Sequence, residues 1–163
     1  MKSKWLWALL GVLAVVGVYA GTVLATPPSG QSTTTLAKAP FDPLRLRAKD
    51  PASMWRAKIK THGVSDLYVV DNTFAANGGT SGWHSHPGPS LVFVVSGTIT
   101  NYMVHGRHCM QQDYTAGQGF VDQGGDHVHM IKNNSAEPAR TIAVQFLPAG
   151  ATRRIDADEP NCH

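Results

Sequence analysis

Residues 78–97 read GGTSGWHSHPGPSLVFVVSG. Two histidines one residue apart, His84 and His86, stand between a glycine-rich turn and the apolar run 91–95. In an extended chain residues i and i+2 share a face, so both imidazoles point the same way. The run itself is rich in Val and Phe and is closed by Ser96-Gly97, which is strand composition ended by a turn signal. A second pair, His127 and His129, opens the strand-like stretch HVHMIKN at 127–133. Two such pairs on neighbouring strands converge their ring nitrogens on one spot. Imidazole suits Zn, Fe, Cu, Ni or Mn, so the pattern predicts a divalent metal site drawn from His84, His86, His127 and His129.

The stretches outside this segment have the same texture. DLYVVDNTF (66–74), TITNYMVHG (98–106), GFVDQ (119–123) and ARTIAVQFLP (139–148) are short, β-branched or aromatic, and separated by Gly and Asn turns such as Asn77-Gly78-Gly79 and Gly124-Gly125. None shows a sustained period near 3.6. Many short strands with glycine-rich turns predict an all-β sandwich or barrel. Residues 91–95 are apolar on both faces, so that strand is either buried on both sides or covers a homodimer interface.

The spacing Gly78-x5-His84-x-His86-x3-Ser90-x6-Gly97 resembles the first motif of the cupin superfamily, Gly-x5-His-x-His-x3,4-Glu-x6-Gly. The second motif, Gly-x5-Pro-x-Gly-x2-His-x3-Asn, is met by Gly117, Gly125 and His129-x3-Asn133, with Gln123 in place of the proline and one extra residue before the histidine. Either the turn holds that extra residue and His129 is the ligand, or His127 takes the position; the His-to-Asn spacing favours His129. The resemblance covers about residues 66–148. It implies a double-stranded β-helix, the jelly-roll barrel of the cupins, with a metal inside it.

The chain departs from the family where the motif's glutamate should stand, because Ser90 occupies that place. A neutral hydroxyl does not replace a carboxylate. Three neutral imidazoles leave the charge of a divalent ion uncompensated, which favours an anionic small-molecule ligand. Asp122 or Asp126 supplies a carboxylate only if its turn folds inward; their glycine-rich setting reads as solvated turn. His105 and His108 flank a hairpin turn and read as exposed, His62 and His163 have no sequence partner, and Trp83 reads as packing.

The chain begins MKSKWLWALLGVLAVVGVYAGTVLA, with Lys2 and Lys4 ahead of an uncharged run from 5 to 24. Residues 1–25 are therefore expected to be a signal peptide cut before Thr26, or an uncleaved membrane anchor in a transmembrane helix. Both readings put the protein outside the cytoplasm, secreted or membrane-anchored. Residues 26–53, rich in Pro, Ser and Thr, read as a flexible linker and lead-in, 54–150 as the barrel and 151–163 as a polar tail. The whole chain carries net charge +3, but beyond residue 25 it has 12 basic and 11 acidic residues, net +1. No basic stripe remains, which argues against a nucleic-acid partner. Export and an even cysteine count predict a Cys109–Cys162 disulfide.

Two function classes follow. One is a non-catalytic domain holding a metal and a small anion. The other is a metal-dependent dioxygenase or isomerase acting on a small organic substrate. Glu137 and Glu159 are the only glutamates and both lie outside the motifs, so no general base is evident, which weakens an isomerase more than an oxygenase.

Overall fold

The computed structural model describes residues 25–106 and 108–161. The expected signal or anchor helix, residue 25 apart, lies outside the described residues, and so does Cys162. Among the described residues every element is a strand, and no helix is long and apolar enough to cross a membrane. In chain order the strands are β1 (Gln31–Phe41), β2 (Arg45–Lys49), β3 (Arg56–Lys60), β4 (Ser65–Phe74), β5 (His84–Ser85) and β6 (Ser90–Ser96). They continue as β7 (Thr98–His105), β8 (His108–Thr115), β9 (Gly119–Asp122), β10 (His129–Lys132), β11 (Ala139–Pro148) and β12 (Ile155–Asp156).

Two five-stranded antiparallel sheets form the barrel, in the orders β1-β4-β11-β6-β9 and β12-β5-β10-β7-β8, and β2-β3 is a separate hairpin. Period-two alternation sets what faces inward. In β6, Ser90, Val92 and Val94 are buried while Leu91, Phe93 and Val95 are exposed. In β11, Ala139, Thr141, Ala143, Gln145 and Leu147 are buried. One apolar cluster takes Phe74, Val94 and Ala139 from the first sheet and Ile99 and Ile131 from the second, so it joins the two layers. A second cluster, Val70, Val92 and Ala143, lies beside it, and Phe120 packs against both. This is the jelly-roll architecture the motif spacing implied.

Two expectations need correction. Residues 31–41 are not a flexible linker: β1 runs antiparallel to β4 from Gln31↔Phe74 to Phe41↔Ser65, and Lys38 Nζ lies 3.0 Å from Asp66 Oδ2. The composition argument failed because nearly all of β1's side chains are exposed. An edge strand is held by main-chain hydrogen bonds, which need no apolar side chain, and its threonines suit the extended chain. The barrel therefore starts well before residue 54. The polar tail is also built in, since β12 pairs Ile155 with Ser85 and Asp156 with His84. Cys109 lies in β8 and is not free; the expected pairing with Cys162 falls outside the described residues.

Candidate metal centre

β5 and β10 bring the histidines together, because His129 sits directly opposite His84 in the antiparallel ladder. His84, His86 and His129 are all buried, and one ring nitrogen from each lies within 4.8 Å of the others.

The outer nitrogens fix the inner ones. His84 Nδ1–H donates to the Gly82 carbonyl at 2.9 Å, His86 Nδ1–H to the Arg153 carbonyl at 2.6 Å, and His129 Nδ1–H to Asn101 Oδ1 at 3.3 Å. An oxygen that only accepts forces the proton onto Nδ1 and leaves the lone pair on Nε2, as a metal ligand requires; the Gln145 side-chain amide lies 3.4 Å from His86 Nε2, and His129 Nε2 has no partner among the described residues. Burial pushes His84 far below the ordinary histidine range, and the nearby His129 and His86 rings add to it. Burial pushes His129 down to about 4, against the opposing pull of the Asp122 carboxylate. His86 is lowered for the same first reason, although its bond to the Arg153 carbonyl and the Asp122 charge oppose it. All three rings are neutral near pH 7, the ligating form.

Asp122 is the residue the sequence reading set aside. It ends β9 directly opposite Ser90, the position where the motif's glutamate is missing. It is buried rather than solvated, with Oδ2 3.5 Å from His129 Nε2 and 3.8 Å from His86 Nε2. The turn after it is pulled inward. Gly124 N–H donates to Asp122 Oδ1 at 3.1 Å, and Gly125 N–H donates to the His86 carbonyl at 2.7 Å. Gly124 has φ +68°, and a Cβ there would lie 2.2 Å from the Gly88 carbonyl oxygen, so this close approach requires glycine. Two buried atoms, Asp122 Oδ2 and His129 Nε2, have no hydrogen-bond partner among the described residues. Orphaned acceptors of this kind facing one another are the signature of a cation site. The donor set, three imidazoles and one carboxylate, fits a divalent transition ion.

The other predicted residues sort clearly. His127 is exposed and is not one of the three clustered histidines. β10 begins at His129, so His127 lies ahead of the strand and strand alternation does not hold it on the face of His129. Asp126, His62, His105 and His108 are exposed, and Trp83 is buried as packing. Ser90 accepts a bond from Gln145 Nε2 at 3.0 Å and does not reach the imidazoles through a charge. Asn133, the last residue of the second motif, is a structural clamp: fully buried, it donates to the Phe74, Ala75 and Glu137 carbonyls and accepts from Ser135. Beside the cluster lies a cavity of about 90 Å³ whose walls include Phe74, Val92, Ile131 and Ala143. Gln145, Arg153 and Arg154 also line it, and the sequence reading identified none of these.

Residues 73–145 match the family model of the Cupin domain. Among solved structures, oxalate oxidase in complex with the substrate analogue glycolate is 22% identical, with a TM-score of 0.51, over 74% of this chain and 52% of that one. Oxalate decarboxylase from Bacillus subtilis is 12% identical, TM-score 0.49, over 57% of this chain and 27% of that one. A conserved protein with a double-stranded β-helix domain from Klebsiella pneumoniae is 21% identical, TM-score 0.45, over 72% and 86%. The chain spans about half the length of the oxalate oxidase chain. No curated protein matches it in sequence. Residues 73–145 thus resemble the cupin domain in sequence, and the two sheets that contain them enclose the histidine cluster.

Proposed function

We propose that the protein binds one divalent metal ion, Fe, Mn, Zn, Ni or Cu, through His84, His86 and His129, with Asp122 in place of the glutamate that Ser90 has displaced, and that it holds a small anion beside that ion outside the cytoplasm. The observation that carries this reading is the close approach of one ring nitrogen from each of three buried histidines, within 4.8 Å of one another, with each Nδ1 turned to an oxygen acceptor. The export part rests on residues 1–25 alone. Metal analysis of the protein purified from its own compartment tests the centre. One equivalent is expected in the native chain and in His127→Ala, and none in His84→Ala/His86→Ala; full retention of metal in the double variant refutes it.

A metal-dependent oxygenase or isomerase acting on a small organic substrate is the second reading, and the cavity beside the imidazoles favours it. An ion bound there supplies Lewis-acid polarisation of a ligand oxygen. Iron in the native protein supports oxygenase chemistry; zinc supports a structural or hydrolytic role. The exposed strip of Leu91, Phe93 and Val95 on β6, with Val121 on β9, supports association of two copies through that sheet.

A further inference from the structure

The C-terminal tail returns to the strand that carries His84. Beyond the β12 pairing, Ala157 N–H donates to the Trp83 carbonyl at 3.0 Å, and Thr26 N–H donates to the Ala157 carbonyl at 3.4 Å. The two residues ahead of this strand, Arg153 and Arg154, form part of the wall of the histidine cavity. Both lie beyond the segment that matches the cupin family model.

The hydrogen bonding of Arg154 is incomplete. Arg153 donates from Nη1 to Gln145 Oε1 at 3.2 Å, and its carbonyl orients His86. Arg154 donates from Nε to Asp156 Oδ1 at 2.5 Å, but its Nη2 is buried with no partner among the described residues. A buried guanidinium N–H without an acceptor is costly, so an acceptor is missing from this wall. The wall holds two guanidiniums and no carboxylate. Phe74, Val92, Ile131 and Ala143 give the lining an apolar part, beside the polar Gln31, Thr33, Asn72 and Ser81. A cavity of about 90 Å³ is roughly the bulk of three waters.

We propose that Arg154, with Arg153 beside it, forms an anion subsite that selects a small carboxylate, its carboxyl group accepting from Arg154 Nη2 and its short hydrocarbon part lying against the apolar wall. The planar guanidinium matches a carboxylate, and the apolar wall disfavours a compact anion that is polar all round. The proposal deepens the reading of the metal centre and rests on it only for the ion that faces the ligand from the histidine side.

Calorimetric titration of malonate into the zinc-loaded and the metal-free protein tests it, with malonamide and inorganic phosphate as comparison ligands and zinc stoichiometry measured on each sample. Malonate is expected to bind the zinc-loaded chain. Arg154→Gln should weaken it by roughly tenfold or more at unchanged zinc stoichiometry, and Arg154→Lys, which keeps the charge but loses the fork, by less. Equal malonate affinity in Arg154→Gln and the native chain overturns the subsite while the metal centre stands. Malonamide or phosphate binding the native chain as tightly as malonate overturns the carboxylate assignment without reference to any variant. If the native chain takes up no zinc, the metal reading fails; Arg154-dependent malonate binding to the metal-free protein then still supports the subsite, and its absence overturns it.

Discussion

Asp122→Asn separates a metal ligand from a structural carboxylate, because the two roles predict opposite signs. Asp122 Oδ1 accepts from Gly124 N–H, a bond an asparagine carbonyl keeps. Oδ2 has no donor and lies 3.5 Å from the equally unpartnered His129 Nε2. An amide nitrogen placed there donates to that ring nitrogen, so the substitution satisfies two orphans and removes a buried charge. Relief of an unsatisfied buried group is worth about 1–3 kcal/mol. For a chain of this size each kcal/mol moves the melting temperature by roughly 2–4 °C, so the metal-free variant should melt several degrees higher.

Metal binding should move the other way. Removing one partner of a buried charge pair costs about 3–5 kcal/mol, which is two to more than three decades in affinity. Competition titration with a chelator measures that loss, and scanning calorimetry of the metal-free forms measures the gain. Adding Ser90→Glu to Asp122→Asn returns a carboxylate from the strand beside it, into the cavity that position 90 lines, and should recover at least a tenfold share of the lost affinity. Unchanged metal affinity in Asp122→Asn refutes the ligand assignment. A destabilised metal-free variant refutes the account of the orphaned atoms.

Acid should destabilise the metal-free protein before it touches ordinary carboxylates. The folded-state values of His84, His86 and His129 lie below the 6.5 of the unfolded chain, so the unfolded state binds more protons and stability is lost as pH falls from about 6.5; for His129, lowered from 6.5 to about 4, the loss is roughly 3 kcal/mol, and a flat denaturant midpoint between pH 7 and 4 would contradict it. A Cys109–Cys162 disulfide closes a long loop worth about 4 kcal/mol in the chain-entropy model, so denatured, unreduced protein should show no titratable thiol, and two thiols exclude it. N-terminal sequencing of the native protein should read Thr26 if the leader is cleaved and Met1 in a membrane fraction if it is an anchor; a soluble cytoplasmic chain starting at Met1 rules out both.

The legible part of the site was the part encoded by local spacing. His84 and His86 share a face because one residue separates them, and the same period placed Val92 and Val94 inward beside Ser90. What local spacing does not encode is partner strands. The sequence of β1 has the composition of a linker because nearly all of its side chains are exposed, although its main chain pairs along the whole of β4. Arg153 and Arg154 were invisible for the same reason: only the pairing of β12 with β5 brings the tail over the cavity.

Asp122 was missed although a signal for it existed. In the stretch GFVD, Phe120 is the residue that must face the core, and period two then puts Asp122 on the same inward side, with Gly119 and Val121 outward. Reading the aspartate by its glycine-rich neighbours gave it to the turn; reading it by the parity of its own strand gives it to the barrel interior. The register completes the argument. Gln145 on β11, Ser90 on β6 and Asp122 on β9 lie in one row across the sheet, all buried. Adjacent strands stand about 4.8 Å apart, so a side chain on the neighbouring strand reaches the space that a longer side chain at position 90 would fill. The missing glutamate and the buried aspartate are then one feature: the carboxylate has moved one strand across the sheet, and Gln145 has taken the hydroxyl left behind.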